Sequence, residues 1–133
     1  MILVIDDDRD FLASVQALLE SEGFDVVTAA SGKEGLAKIE AQPELIVSDV
    51  MMETATEGYA VSGAVKMHEM MGEGRIPLIM VSSIQTSPDE LFPRSEELGV
   101  IRPDYYLTKP LDIPRFLEIV RKTVRRVPAA PQV

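Results

Sequence analysis

Short apolar runs punctuate the chain, and between them apolar residues return at helical spacing. Ile2-Leu3-Val4-Ile5, Leu45-Ile46-Val47-Ser48 and Ile76–Ser82 are continuous rather than alternating. Runs of that kind read as strands buried on both faces of a parallel sheet. Asp25–Ala30 and Asp104–Thr108 complete the strands as the second and fifth. Residues 9–21 place Phe11, Leu12, Val15, Leu18 and Leu19 on one helical face, with Gly23 positioned to end the helix. Ser31-Gly32-Lys33-Glu34 reads as a capping box opening a helix with Leu36 and Ile39 inward, closed by Pro43. A third helix is expected over roughly 58–71, with Val61, Val65 and His68. Ser87-Pro88-Asp89-Glu90 looks like a helix start that Pro93 interrupts. Residues 112–126 predict a last helix with Phe116, Leu117, Val120 and Val124 inward.

Five strand–helix units predict an α/β fold: a single doubly wound five-stranded parallel sheet with helices on both faces. The expected domain runs over residues 1–126. Residues 127–133, Val127-Pro128-Ala129-Ala130-Pro131-Gln132-Val133, read as a C-terminal stub or the start of a linker.

Composition narrows the function. A chain of 133 residues suits one domain with a real core. The net charge of −9 argues against direct nucleic-acid binding, because a phosphate backbone requires a basic surface. Cysteine is absent, which removes disulfides and thiol chemistry. The first apolar run is too short and lacks the basic start of a signal peptide. No stretch approaches the ~20 apolar residues of a membrane span. These features make the cytoplasm the expected location, with no membrane partner.

The candidate chemistry sits where the apolar runs stop. Asp6-Asp7-Asp8 follow the first run, Asp49 follows the third, and Lys109-Pro110 follow the fifth. In an open α/β sheet, ligands bind beyond the carboxyl ends of the strands. The three ends would therefore gather carboxylates and one ammonium in one crevice. Converging carboxylates repel, so they take up protons or a cation. Mg²⁺, with its oxygen ligands and retained waters, suits the set. Asp8 reads as the cap of the first helix. Lys109 can meet a phosphoryl oxygen as a point charge. Ser82, at the end of the fourth strand, can donate a hydroxyl hydrogen bond to the same oxygen.

These residues carry a resemblance. The acid pair Asp6-Asp7, Asp49 in Asp-Val-Met-Met, Ser82 in Met-Val-Ser-Ser, Tyr106 and Lys109-Pro110 resemble, in order and placement, the receiver domains of two-component response regulators. The likeness extends from residue 1 to about 126. It implies the flavodoxin-like strand order 2-1-3-4-5. It also implies that Asp49 accepts a phosphoryl group from a sensor histidine kinase or a phosphotransfer protein. Asp7, Asp49 and the backbone carbonyl of Met51 would bind Mg²⁺ directly, with Asp6 helping through a water. Lys109 and Ser82 would contact the phosphoryl oxygens, and the Tyr106 rotamer would follow Ser82. Output to a downstream protein, or a homodimer, would use the face made by the fourth helix, fifth strand and fifth helix.

Two stretches depart from the family pattern. Glu53 stands where a proline is usual, in a loop bordering the site, and Ser83–Pro103 is longer than usual with Pro88, Pro93 and Pro103. In the family fold, the approach of a hydrolytic water is flanked by the positions of Met51 and Ile84. Neither side chain can orient a water, so a long-lived phosphorylated form is expected.

Other residues read more plainly. His68 is expected to be a packing or surface residue, and Met67, Met70 and Met71 to be core filler or surface. Arg121, Lys122, Arg125 and Arg126 read as complementing the dipole of the last helix, the alternative being a partner-facing basic patch. The reading is thus a phosphorylatable switch that catalyses its own modification and no turnover enzyme. One alternative is a degenerate receiver acting as a phosphorylation-independent interaction module. Another is an aspartyl-nucleophile phosphohydrolase, but Asp6-Asp7-Asp8-Arg9-Asp10 does not supply the Asp-x-Asp-x-Thr/Val start of such enzymes. Which kinase and which output the chain serves is not written in the sequence.

Overall fold

The structure is a computed structural model, describing residues 1–49, 55–72, 74–83 and 103–124, with residues 55–60 and 62 in backbone only. Five strands form one parallel sheet: β1 (Ile2–Ile5), β2 (Val26–Ala29), β3 (Leu45–Asp49), β4 (Leu78–Ser82) and β5 (Tyr105–Thr108). The helices are α1 (Arg9–Ser21), α2 (Gly32–Ile39), α3 (Ala55–Met70) and α4 (Ile113–Thr123). The strand order is β2-β1-β3-β4-β5, as the family resemblance implied. All pairings are parallel. The expected fourth-helix start at Ser87–Glu90 lies outside the described residues, as does the stub over 127–133.

Burial explains which runs were continuous. Every residue of β1, β3 and β4 is buried, because each has a strand on both sides and helices on both faces. The edge strands β2 and β5 are mostly half-buried. Alternation along each strand divides the core in two. Ile2, Val4, Leu45, Val47, Ile79 and Val81 face α1 and α4, where Leu12, Val15, Leu19, Phe116 and Val120 pack. Leu3, Ile5, Ile46, Leu78 and Met80 face α2 and α3, where Ile39, Val61 and Val65 pack. On that second face Gly35 brings α2 close to β1. A Cβ there would stand 2.8 Å from Ile5 Cγ1, and Ile5 is fully buried. An added methyl has no room without moving the helix.

Local chemistry sets the helix ends. The Asp8 carboxylate accepts the N–H groups of Asp10 and Phe11, so it caps α1 as expected. Gly23 ends that helix at φ 91°, with its N–H on the Glu20 carbonyl and the Phe24 N–H on the Leu19 carbonyl. This is a Schellman closure, sealed by buried Phe24 and Leu19. Ser31 caps α2. Its Glu34, however, accepts the N–H of Ala30 at 2.8 Å rather than that of the cap residue. Asp112 caps α4, which reaches Thr123. α3 starts at Ala55, earlier than the periodicity indicated. Its first residues, Ala55, Thr56 and Glu57, were not distinguished from loop by apolar spacing alone.

Candidate functional site

β1 and β3 are neighbours although a strand and two helices separate them in the chain. The chain turns outward in opposite directions from this pair, which opens a crevice beyond their carboxyl ends. Asp6 leaves β1 there and Asp49 ends β3 there. The alternation that sends Ile2 and Val4 toward α1 carries on to Asp6, and that of Leu45 and Val47 carries on to Asp49. Lys109 follows Tyr105 and Leu107 in the same way. Parity therefore delivers both buried acids and the lysine to one side of the sheet, under the start of α1.

One carboxylate oxygen from each of Asp6, Asp7 and Asp49 lies within 4.8 Å of the others. Asp6 and Asp49 are buried and Asp7 is exposed. Lys109 Nζ is 2.8 Å from Asp6 Oδ2 and 3.4 Å from Asp49 Oδ2. Asp6 Oδ1 also accepts the Asp8 N–H at 2.9 Å. Both oxygens of Asp6 are thus engaged by the protein, whereas Asp7 faces solvent. Burial works against the charge of Lys109, but its pairing with the Asp6 carboxylate and the charge of Asp49 outweigh it, so its pKa lies above the ordinary lysine value. The ammonium is held charged at neutral pH.

Ser82 is fully buried at the end of β4, and its carbonyl accepts the Lys109 N–H at 2.8 Å. Its side chain falls on the other parity, with Leu78 and Met80. Ser82 pairs with Thr108, so Tyr106 is its diagonal neighbour on β5. Tyr106 is half-buried against the α2–α3 core. The structure therefore brings together Asp6, Asp7, Asp49 and Lys109, and sets Ser82 beside Lys109 through the backbone. Met51, Glu53 and Ile84 lie outside the described residues, as does the Ser83–Pro103 stretch beyond Ser83 up to Arg102.

One neighbour of the site was not foreseen. Phe11, read as a core residue, also presents its ring to Lys109, with Nζ 4.3 Å from the ring centroid. Apolar spacing marks the face of a helix, and Phe11 is the residue of that face nearest the helix start, which was the only available sign. His68 is buried and its Nδ1 meets the Gly74 carbonyl at 3.1 Å, in keeping with a packing role. Met67, Met70 and Met71 are exposed surface. Among the described residues no helix is long and apolar enough to cross a membrane.

Comparison with known proteins agrees with this arrangement. The response regulator receiver domain family matches residues 2–121, and the chain belongs to it. It is 33% identical over 132 residues to the DNA-binding dual master transcriptional regulator RpaA of Synechocystis, covering 98% of this chain and 52% of that protein. It is 36% identical over 128 residues to the alkaline phosphatase synthesis transcriptional regulatory protein PhoP of Bacillus subtilis, covering 94% of this chain and 48% of that one. The chain thus spans about half the length of these curated relatives. A CheY-like response regulator receiver domain protein from Methanospirillum hungatei superimposes with a TM-score of 0.71 at 32% identity, over 91% of this chain and 90% of that one. This is a receiver domain of two-component signalling, a class of domain that interacts with kinases or phosphotransfer proteins.

The donor set fits the divalent cation that such a family implies. All candidate ligands are hard carboxylate oxygens, the exposed Asp7 has room for retained waters, and only one cation, Lys109, faces the three acids among the described residues.

Proposed function

We propose that the chain is a Mg²⁺-dependent phosphoacceptor that takes a phosphoryl group onto Asp49 from a phosphohistidine on a sensor kinase or phosphotransfer protein. The observation that carries this is the placement of the Asp49 carboxylate between two other acids and the Lys109 ammonium at strand ends of the sheet. A carboxylate alone is a weak nucleophile toward phosphorus, and transfer depends on charge placed where the phosphoryl oxygens develop it. An Asp49 oxygen forms the new O–P bond while the P–N bond to the imidazole breaks, and the ring nitrogen keeps the electron pair and takes a proton. Asp7 and Asp49, with the Met51 carbonyl, would hold the metal directly. Asp6, with both oxygens engaged, would act through a water. When bound, a divalent cation neutralises negative charge on the phosphoryl oxygens. Lys109 shifts an N–H from Asp49 to a phosphoryl oxygen, and the Ser82 hydroxyl donates to another.

The reaction ends on the protein, so the chain is a switch and not a turnover enzyme. The signal would leave through β5 and the helices beside it, since Ser82 is the diagonal neighbour of Tyr106. A population shift of that kind requires only a few kcal/mol of differential stabilisation. The charge of −9 over these 133 residues disfavours direct nucleic-acid contact by this chain.

Intact mass after incubation with acetyl phosphate and Mg²⁺ tests the reading. One phosphate should add to the wild type and none to Asp49→Asn. A gain that survives Asp49→Asn overturns the assignment. No gain in the wild type favours the degenerate, interaction-only receiver.

A further inference from the structure

Lys109 is held by more than its two acids. Its Nζ stands over the Phe11 ring, 4.3 Å from the centroid, inside the ~6 Å range of cation–π attraction. Phe11 is held at its backbone and along its side chain. The Phe11 N–H donates to the Asp8 cap at 3.2 Å, and the side chain packs against the α1–α4 core. Phe11 and Lys109 also line one groove with Val15, Leu18 and Leu111, open to solvent beside the ammonium.

We propose that Phe11 is a positioning residue for Lys109, holding the ammonium beside Asp49 with its ring face. This rests on the reading of Lys109 as the phosphoryl contact. Asp6 takes the closer ion pair at 2.8 Å, while Asp49 is at 3.4 Å, beyond the ~2.7–2.9 Å of a tight charge-assisted hydrogen bond. An ammonium so placed must be able to turn an N–H from the Asp49 carboxylate to an incoming phosphoryl oxygen. A carboxylate or amide in place of Phe11 would stabilise the cation but fix one of its N–H groups. An aromatic face attracts the charge and offers no lone pair, so the donors stay available. Where the ring face meets the ammonium it takes the place of water that would otherwise compete for them.

Packing alone would place a ring over a lysine stem, so the test separates volume from π character. Phe11→Leu keeps apolar bulk without the ring, Phe11→Trp keeps a stronger face, and pentafluorophenylalanine at position 11 keeps volume while reversing the quadrupole. Two readouts are taken on the full chain: the rate of phosphorylation by acetyl phosphate with Mg²⁺, and the metal-free NMR shift of the Lys109 ε-methylene. In the wild type that methylene should be displaced upfield by the ring current, and in Phe11→Leu it should return to the ordinary lysine position. Phosphorylation should slow roughly two- to fivefold in both the Leu and the pentafluoro variants, with Trp near wild type. A pentafluoro variant as fast as wild type overturns the proposal even if Leu is slow, since volume then suffices. An ordinary ε-methylene shift in the wild type overturns it directly. If Lys109→Met takes phosphate as fast as wild type, the reading of Lys109 itself fails, and the positioning role fails with it.

Discussion

The two ends of the sheet carry their charges differently. At the amino ends each base is met by acids at the solvent surface. The Met1 ammonium meets Glu44 at 2.7 Å, and Arg75, just before β4, pairs with Asp104, just before β5, and with Glu69 at 3.8 Å. Asp104 also accepts the Leu78 N–H at 2.8 Å and returns its own N–H to the Leu78 carbonyl, which closes the entry of the β4–β5 ladder. At the carboxyl ends of β1, β3 and β5, three acids face one lysine among the described residues, and two of the acids are buried. Charges of the first kind start strands in register. Those of the second kind leave repulsion that a cation relieves, and such imbalance marks a ligand site rather than a structural one.

Removing the base from each end should give the largest contrast. In metal-free buffer Lys109→Met leaves buried Asp6 without its counter-ion. With Lys109 still 19% exposed, the cost should be about 2–4 kcal/mol, somewhat below that of a fully buried pair. Arg75→Met breaks a pair whose arginine is 51% exposed and should cost under about 1 kcal/mol. Urea denaturation of both variants decides it. Equal losses would mean that the carboxyl-end charges are as well solvated as those at the other end.

Removing one acid from each end should give opposite signs. Asp7→Asn deletes a like charge and should raise metal-free stability by about 0.5–1 kcal/mol. Asp104→Asn loses an ion pair and weakens the acceptor of the Leu78 N–H, and should lower stability by about 1–2 kcal/mol. Added Mg²⁺ should stabilise the wild type by mass action and Asp7→Asn far less. If thermal melts show Asp7→Asn destabilised without metal, the acids are not in conflict and the comparison collapses.

The buried, crowded end was legible in the sequence and the exposed, paired end was not. Asp6, Asp49 and Lys109 each stop an apolar run, and a parallel sheet with a switch point sends those stops to one place. Period-two alternation then gives them a common side without knowledge of any contact. Arg75 and Asp104 carry no such signature. Each precedes a strand, as charged residues often do, and only the pairing of β4 with β5 makes them partners. Phe11 was hidden for the same reason: helical spacing assigned it to a face, and what that face meets at its first turn depends on where β5 ends. The capping box at Ser31 was correct in its residues and in its first bond, the Glu34 N–H to the Ser31 hydroxyl at 3.1 Å, but the Glu34 carboxylate returns to the N–H of Ala30 instead of the cap residue.

Glu34 gives the smallest and sharpest test, because it too lies at the carboxyl end, beside edge strand β2. Its Oε1 accepts the Ala30 N–H at 2.8 Å and its Oε2 meets Lys38 at 3.2 Å, while Lys38 also donates to the Thr28 carbonyl at 2.7 Å. Among the described residues at the carboxyl ends, the crowding of acids thus lies at β1, β3 and β5, while beside β2 Glu34 has its own base. The backbone hydrogen bond from Ala30, then the bond from Lys38, lower the Glu34 pKa below its ordinary 4.5. A lowered folded value means that folding favours the ionised carboxylate. Its contribution is full above 4.5 and is lost as pH falls through the lowered value. With the side chain 47% exposed, solvent screening limits it to a few tenths of a kcal/mol. Glu34→Gln keeps an acceptor for Ala30 and removes only the charge. The variant should be slightly less stable than wild type at neutral pH, and the gap should close as the pH falls below 4.5 and through the lowered value, where the glutamate becomes protonated as well. A gap that stays constant between the two conditions would place the effect in packing or propensity. The edge of the sheet would then owe nothing to its charge pairing.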